Sequence, residues 1–232
     1  MTNPPQTTEG NAMLLDRNHI AGVLLAGGQS RRMFESTGTS GDKGLLDIAG
    51  TPMLGHVIER LRPQVGAMVI NANGDPERFA RFGLPVVADS ISGFAGPLAG
   101  VLAGMRWALA HAHGATHIAT VSTDAPFVPP DLVARLAGAL SPTAPIALAQ
   151  SGGDIHPVIG LWPVSLADDL EIALENGVRK VLAWTDRHGT SATEFPTIKI
   201  GGRCVDPFFN ANTPAELEEA RHLLALSATR TD

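Results

Sequence analysis

The sequence predicts an α/β protein: a three-layer α/β/α sandwich around a mostly parallel, Rossmann-like sheet. Apolar runs alternate with helical patterns from residue 20 to about residue 140, which implies parallel strand pairing. Three of these runs end in Asn71, Asp89 and Asp124, and ligands bind beyond the carboxyl ends of parallel strands. Apolar residues make up 44% of the chain and aromatic residues only 5%, which suits thin layers packed on small aliphatic side chains.

Four predicted strands, each followed by a helix, account for the first part of the chain. The run from residue 20 stops at glycines, which is typical of a buried strand entering a loop. Thr51-Pro52 opens the first helix, because a hydroxyl N-cap followed by proline is a favoured start, and Pro63 ends it. The other strands are predicted at 67–73, 84–89 and 117–124, and the other helices at 75–82, 98–111 and 131–140.

The second part of the chain changes rhythm. Two apolar runs joined through Gly152-Gly153-Asp154 predict a small antiparallel, hairpin-like insertion. Thr193-Glu-Phe predicts an edge strand, and Thr213 with Glu216 has capping-box spacing before the last helix. The hairpin strands are predicted at 146–150 and 157–162, and the helices at 165–176, 178–188 and 215–226.

The domain organisation is predicted to be simple. Residues 1–18 are polar and rich in proline and threonine, which predicts a disordered leader, and 19–228 form a single domain without an internal linker.

A net charge of −6 argues against general binding of nucleic acids or anionic membranes. No apolar run reaches bilayer-spanning length, and the single cysteine, Cys204, fits a reducing compartment. We therefore expect a soluble cytoplasmic protein.

The glycine-rich loop after the first strand predicts a phosphate site. Gly27 and Gly28 let the backbone approach a ligand and direct N–H groups toward it. Arg31, Arg32 and Lys43 follow as cations that would neutralise charge on a phosphate under attack. A polyphosphate explains the combination, although a tight turn with a solvated basic edge would show the same local pattern.

A carboxylate beside this phosphate site implies Mg²⁺. The cation takes oxygen ligands, often one or two carboxylates together with substrate phosphates. Asp124 is the metal candidate, because Pro126 already enforces the turn that a structural aspartate would otherwise cap. For Asp89, a turn-capping role is an equally good interpretation.

Several motifs together resemble the molybdenum cofactor guanylyltransferases, nucleotidyltransferases with a glycosyltransferase-A-like fold. The signature loop is Leu24-Leu-Ala-Gly-Gly-Gln-Ser-Arg-Arg-Met33, followed by Asp42-Lys43-Gly-Leu-Leu46. The resemblance covers nearly the whole chain after about residue 20. It continues through Asn71-Ala-Asn73, Asp89-Ser90, Gly96-Pro-Leu-Ala-Gly100, Thr123-Asp-Ala-Pro126 and Phe209-Asn-Ala-Asn-Thr-Pro214.

This resemblance implies transfer of GMP from Mg-GTP to the terminal phosphate of molybdenum-bound molybdopterin, with release of pyrophosphate. Apo-molybdoenzymes or their chaperones would then be partners. The second glycine of Ala26-Gly27-Gly28 looks like that of guanine-using enzymes. The implied roles are nucleotide binding by the loop at Leu25, Ala26 and Gly27, phosphate binding by Lys43, base or ribose contacts by Asn71 and Asp89, Mg²⁺ binding by Asp124, and contacts near the pterin by Asn210 and Asn212.

One departure from the family pattern leaves alternatives open. Residues 34–41 form a longer insertion between Met33 and Asp42 than the family usually has, and we predict a loop that is disordered or lid-like without nucleotide. One alternative is an enzyme for another nucleotide or acceptor, such as CTP and molybdopterin, or a sugar phosphate. The other alternative is a nucleotide-binding partner protein that delivers cofactor without catalysis.

Overall fold

A computed structural model of the 232-residue chain describes residues 15–27, 33, 41–91 and 96–228. The central element is a seven-stranded sheet of order β5-β4-β1-β6-β8-β7-β9, and two two-stranded sheets, β2-β3 and β10-β11, lie outside it. The strands are β1 (Ile20–Leu25), β2 (Asp47–Ile48), β3 (Thr51–Pro52), β4 (Ala67–Asn71), β5 (Val86–Val87), β6 (His117–Ser122), β7 (Ile146–Ser151), β8 (Asp154–Pro163), β9 (Thr190–Glu194), β10 (Ile198–Ile200) and β11 (Arg203–Val205).

The helices are mostly inserted between the strands of the sheet. Among the described residues they are α1 (Met53–Leu61), α2 (Pro97–His111), α3 (Leu132–Gly138), α4 (Ala167–Glu175), α5 (Val181–Thr185) and α6 (Pro214–Ala228). Short 3₁₀ helices occur at Arg17–His19, Lys43–Leu45, Arg62–Gln64, Pro76–Phe82 and Val164–Leu166. None of the helices in the described part of the chain is both long and apolar enough to cross a membrane.

The predicted mostly parallel sheet is confirmed. Strand β1 pairs in parallel with β4 and β6, β4 pairs in parallel with β5, and β7 pairs in parallel with β9. Only β8 is antiparallel to its two neighbours, β6 and β7. The predicted hairpin therefore forms, but its two strands belong to the central sheet. Because β6 and β7 run in the same direction, the carboxyl ends of β1, β4, β6 and β7 share one edge.

Alternate residues of the central strands face two different hydrophobic layers. On β1, Ile20 and Leu24 pack into the layer that includes α1 and α3, whereas Ala21 and Val23 pack against α2 and α4. Glycine 104 permits close approach of α2, since an added Cβ would lie 2.6 Å from the Val23 Cγ2 atom. A third layer packs α6 against the two small sheets. The helices on the two faces of the central sheet make the fold a three-layer α/β/α sandwich.

Several predicted boundaries differ from the structure, and tertiary pairing is the main reason. Thr51 does not cap α1: it pairs with Ile48 in the β2-β3 hairpin, and the helix begins at Met53. The strand predicted over 84–89 contains only Val86–Val87, since β5 is a short edge strand. The other shorter elements are β4, β6, α3, α4 and α5, and the β10-β11 hairpin was not predicted.

The predictions for the last helix and for the N-terminal leader have different outcomes. The cap before α6 forms, because the Glu216 N–H donates to Thr213 Oγ1 at 3.3 Å, but Glu216 Oε2 accepts from the Asn212 N–H at 2.8 Å rather than from the N–H of Thr213. The last residues of the predicted leader include the start of the 3₁₀ helix at Arg17–His19, which Asp16 caps by accepting from the Asn18 N–H at 2.9 Å. The rest of that leader lies outside the described residues.

Candidate active site

A cleft of about 260 Å³ opens at the edge where β1, β4 and β6 end. Leu25 and Asn71 are the last residues of β1 and β4, and Ser122 is the last residue of β6. The cleft is therefore built from the segments that the strand-end argument selects. Its lining consists of Leu25, Gly27, Asn71, Asn73, Asp89, Gly96, Pro97, Gly100, Ser122 and Val158.

Asp89 is held at one end of this cleft by two amide side chains. Asn71 Nδ2 donates to Asp89 Oδ1 at 2.9 Å, and Asn73 Nδ2 donates to Asp89 Oδ2 at 2.8 Å. The Asp89 N–H donates in turn to Asn73 Oδ1 at 2.9 Å. Since an ionised carboxylate has more than two lone pairs, Asp89 can still accept hydrogen bonds from a ligand's hydroxyl or N–H groups.

Glycine 100 allows α2 to lie against this network. An added Cβ would lie 2.8 Å from Leu25 Cδ2 and 3.1 Å from Asn71 Cγ, distances that a side chain cannot occupy without displacing these atoms. The first residues of α2 therefore line the cleft together with Asn71. Pro97, the first residue of α2, has no N–H group, and the Ala99 N–H donates to the Gly96 carbonyl at 3.1 Å.

Lys43, Asp124 and Asn212 converge beside the cleft, although they are far apart in the sequence. Lys43 forms an ion pair with Asp124 and donates to Asn212 Oδ1 at 2.5 Å. The Asp124 side chain is only 3% exposed, and its other carboxylate oxygen accepts a hydrogen bond from Ser122 Oγ. Because Ser122 also lines the cleft, the ion pair lies next to the space in which a ligand would sit.

Asp42 and Arg78 connect the two halves of the site. Arg78 Nη2 donates to the Asn73 carbonyl at 2.7 Å, and its Nε lies 3.9 Å from Asp42 Oδ2. Asp42 also accepts from the Gly44 N–H at 3.0 Å, and burial raises the pKa of its carboxyl above the usual value. Neither Arg78 nor Asn73 was among the predicted site residues. Only the i, i+2 spacing of Asn73 from Asn71 could have indicated the latter.

The segment before α6 reaches the site through Ala211, Asn212 and Asn210. The Ala211 N–H donates to the Asp124 carbonyl at 3.2 Å, which places this segment directly against the loop after β6. Asn210 Oδ1 is buried and has no hydrogen-bond partner in the part of the chain that the structure describes. The geometry thus brings both predicted asparagines to the edge that carries Lys43 and Asp124.

Some predicted residues have a clear place, and others cannot be compared with the structure. Leu25 and Gly27 line the cleft, and the Ala26 N–H donates to the Asn71 carbonyl at 2.9 Å. The predicted Gly28 and Arg32, and the loop predicted over 34–41 except its last residue, lie outside the described residues. The roles assigned to the placed residues stay predictions.

Comparison with known proteins identifies the family. A family model described as the MobA-like NTP transferase domain matches residues 22–190. The molybdenum cofactor guanylyltransferase of Bradyrhizobium sp. (strain ORS 278) is 49% identical over 209 residues, which cover 89% of this chain and 94% of that protein. The protein of the same name from Rhizobium meliloti (strain 1021) is 48% identical, over 85% of this chain and 88% of its own. This chain belongs to the molybdenum cofactor guanylyltransferase family.

Solved structures agree with this assignment at the level of the fold. The molybdopterin-guanine dinucleotide biosynthesis protein A of Archaeoglobus fulgidus has a TM-score of 0.65 and 22% identity, and the match covers 88% of this guanylyltransferase and 98% of that chain. Rv0371C from Mycobacterium tuberculosis, solved as a complex with manganese, has a TM-score of 0.59 and 19% identity, with coverage of 88% and 98%. The predicted nucleotidyltransferase fold is confirmed.

Proposed function

We propose that this guanylyltransferase transfers GMP from GTP to molybdenum-molybdopterin, forming the guanine dinucleotide cofactor and releasing pyrophosphate. The observation that carries the proposal is the placement of Lys43 and Asp124 beside a cleft whose other end holds a fixed carboxylate, Asp89. This arrangement supplies a cation that can contact phosphates, a carboxylate that can bind their metal ion, and hydrogen-bonding groups for a nucleoside. The similarity to named guanylyltransferases along most of the chain supports the choice of nucleotide and acceptor.

Asp124 fits as the protein ligand of a Mg²⁺ ion that arrives with the triphosphate. No group of three or more His, Cys, Asp or Glu side chains within the described residues could hold a metal without other ligands. Mg²⁺ commonly takes one or two carboxylates and completes its shell with waters and substrate phosphates, so a single buried aspartate beside a phosphate site suits it. Bound there, Mg²⁺ would withdraw negative charge from the phosphates.

The side chains of this site need to align and neutralise the reactants rather than move protons. The acceptor phosphate is already an anion, so one of its oxygens can attack the α-phosphorus of GTP without a general base. A new P–O bond forms as the bond to the bridging oxygen of the pyrophosphate breaks, and the leaving group departs as an anion. Lys43 places positive charge beside these phosphates, where it stabilises the charge of the transition state. Arg32 is proposed to add a second positive charge.

The two ends of the site would bind the two substrates. We assign the nucleoside of GTP to the cleft, where Asn71 and Asp89 offer polar groups and the backbone at 25–27 approaches the phosphates. Asn210 and Asn212 are assigned to the acceptor end. The buried Asn210 Oδ1, which has no hydrogen-bond partner among the described residues, supports this assignment. Holding both substrates in line for attack removes much of the entropic barrier of a bimolecular reaction.

The product would serve molybdoenzyme apo-proteins or their chaperones in the cytoplasm, and the single cysteine of the chain suits that location. Cys204 is an exposed free thiol. Such thiols persist in reducing compartments, whereas secreted proteins of this size more often pair their cysteines.

The test is turnover with defined substrates. Purified protein is incubated with Mg²⁺, molybdenum-molybdopterin and either GTP, CTP, UTP or ATP, and both pyrophosphate and the dinucleotide product are measured. We expect release of pyrophosphate with GTP that depends on the acceptor and on Mg²⁺. Faster turnover with another nucleotide would transfer the assignment to that nucleotide, and binding of GTP without any turnover would favour the non-catalytic alternative.

A further inference from the structure

Three polar side chains outside the cleft form a continuous hydrogen-bonded chain at the same edge of the sheet. Ser151 is the last residue of β7, His156 lies near the start of β8, and Asp206 lies in the segment after β11. Ser151 Oγ lies 2.7 Å from His156 Nε2 and 2.8 Å from Asp206 Oδ2. Ser151 is 3% exposed, so its hydroxyl depends on these two partners for hydrogen bonding.

The direction of the two hydrogen bonds follows from the donors available. An ionised Asp206 can only accept, so the single hydroxyl proton of Ser151 is donated to Asp206 Oδ2. Ser151 Oγ must then accept from His156, which carries its proton on Nε2. Burial lowers the pKa of His156 and outweighs the opposing effect of the nearby carboxylates Asp206, Asp154 and Glu194, which favours this neutral form.

Asp206 passes this restraint to the segment that follows it. Its Oδ1 accepts from the Phe208 N–H at 2.7 Å, which fixes the turn at the start of residues 206–212. The Phe208 ring is buried and packs between His156 and Phe195, with ring centroids 4.7 Å and 5.2 Å apart. Contacts with residues of β7 and β8 therefore fix the position of the first half of this segment.

The second half of the same segment carries the contacts of the active site. Ala211 bonds to the Asp124 carbonyl at 3.2 Å, and Asn212 Oδ1 accepts from Lys43 at 2.5 Å. Only four residues separate Asp206 from Ala211, so a displacement at Asp206 must move the partner of Lys43 unless the intervening turn absorbs it. We propose that Ser151, His156 and Asp206 are positioning residues that hold Asn212 in register with Lys43 and Asp124, an inference that rests on the proposed function.

The test compares two variants that each lose one buried hydroxyl. Ser151→Ala removes both hydrogen bonds of this hydroxyl and should lower kcat by on the order of tenfold. It should raise the Kd for Mg-GTP by a smaller factor than it lowers kcat, because Asn71 and Asp89 at the nucleoside end of the cleft keep their own hydrogen bond. Thr185→Ala is the control, since the Thr185 hydroxyl is fully buried, bonds to the Leu182 carbonyl at 3.3 Å and lies in α5. It should lose stability, as Ser151→Ala does, but keep the kcat of the wild type.

Two further measurements distinguish positioning from simple stabilisation. Ser151→Thr retains the hydroxyl and His156→Gln retains an N–H donor, so both should recover kcat relative to Ser151→Ala and His156→Leu. Hydrogen exchange at the Ala211 amide should be faster in Ser151→Ala than in Thr185→Ala. An unchanged kcat, or equal exchange at Ala211 in the two variants, would overturn the inference. A wild-type protein without turnover would instead refute the proposed function. The exchange measurement at Ala211 would still test whether Ser151, His156 and Asp206 position the segment.

Discussion

The substitution Gly100→Ala tests whether close contact between α2 and the sheet sets the geometry of the nucleotide cleft. The added methyl group would lie 2.8 Å from Leu25 Cδ2 and 3.1 Å from Asn71 Cγ. The first distance is shorter than real Cβ contacts and the second is tighter than most of them, so Asn71 or the helix must shift. Asn71 is the more easily moved, and its movement would break the 2.9 Å hydrogen bond to Asp89.

The expected change in unfolding free energy combines a packing cost with a smaller gain in helix propensity. Inserting a methyl group into a filled space costs about 1–3 kcal/mol. Because alanine is a better helix former than glycine, the substitution also stabilises the helix by up to about 1 kcal/mol. We therefore expect a net loss of up to about 2 kcal/mol in unfolding free energy. Loss of the bond between Asn71 and Asp89 should also weaken Mg-GTP binding by roughly tenfold.

Thermal unfolding and calorimetric titration with Mg-GTP measure the two effects, and two other glycine-to-alanine variants separate them. In Gly104→Ala the new methyl meets Val23 at 2.6 Å, away from the cleft residues, so stability should fall with little change in Kd. In Gly138→Ala the methyl meets no atom within 4 Å, and stability should stay the same or rise. A Gly100→Ala protein with wild-type Kd would show that Asn71 and Asp89 do not contact the nucleotide.

Three other predictions concern charge. Asp42→Asn should raise unfolding free energy at pH 7, because burial raises the pKa of Asp42 and its ionised form costs stability there; an unchanged urea midpoint would contradict this. Burial lowers the pKa of His117, so the unfolded chain binds a proton at this histidine more readily than the folded chain does. The free energy of unfolding should therefore fall as the pH drops below about 6.5. His117→Gln should reduce this pH dependence in urea titrations from pH 7 to pH 5. Lys43→Met should lower kcat by about 100-fold or more in the pyrophosphate assay, since it removes the charge beside the phosphates; a smaller loss than for Asn212→Ala would argue against that role.

Local signals in the sequence were sufficient for the parallel part of the fold. The apolar run at Ile20–Leu25 and the polar residues that follow each strand predicted both the sheet and the edge where ligands bind. Asn71 and Asp89 share the cleft because strands of one direction bring their carboxyl ends together, and the ion pair of Lys43 with Asp124 lies at the same edge.

What the sequence did not reveal depends on which residues pair in the folded chain, whether they are near or far apart in sequence. Thr51 has the residue type of a helix cap, but pairing with Ile48 placed it in a hairpin. Arg78 bonds to the Asn73 carbonyl, and Ser151 bonds to a carboxylate 55 residues later, Asp206. No periodicity or local spacing marks such pairs, so they could be found only once the chain was folded.

The claim at the centre of this account is that Asp124 acts on the phosphates of a bound nucleotide. Asp124→Asn keeps the shape of the side chain and an oxygen that can accept from Ser122, but it removes the charge that would bind Mg²⁺. As a control, Asp168→Asn removes the charge of an aspartate whose side chain is 84% exposed. The decisive measurement is pyrophosphate release from GTP and molybdenum-molybdopterin by these two variants, with folding checked by circular dichroism. We predict a loss of at least about 100-fold for folded Asp124→Asn and wild-type release for Asp168→Asn; near-normal release by Asp124→Asn would contradict the account.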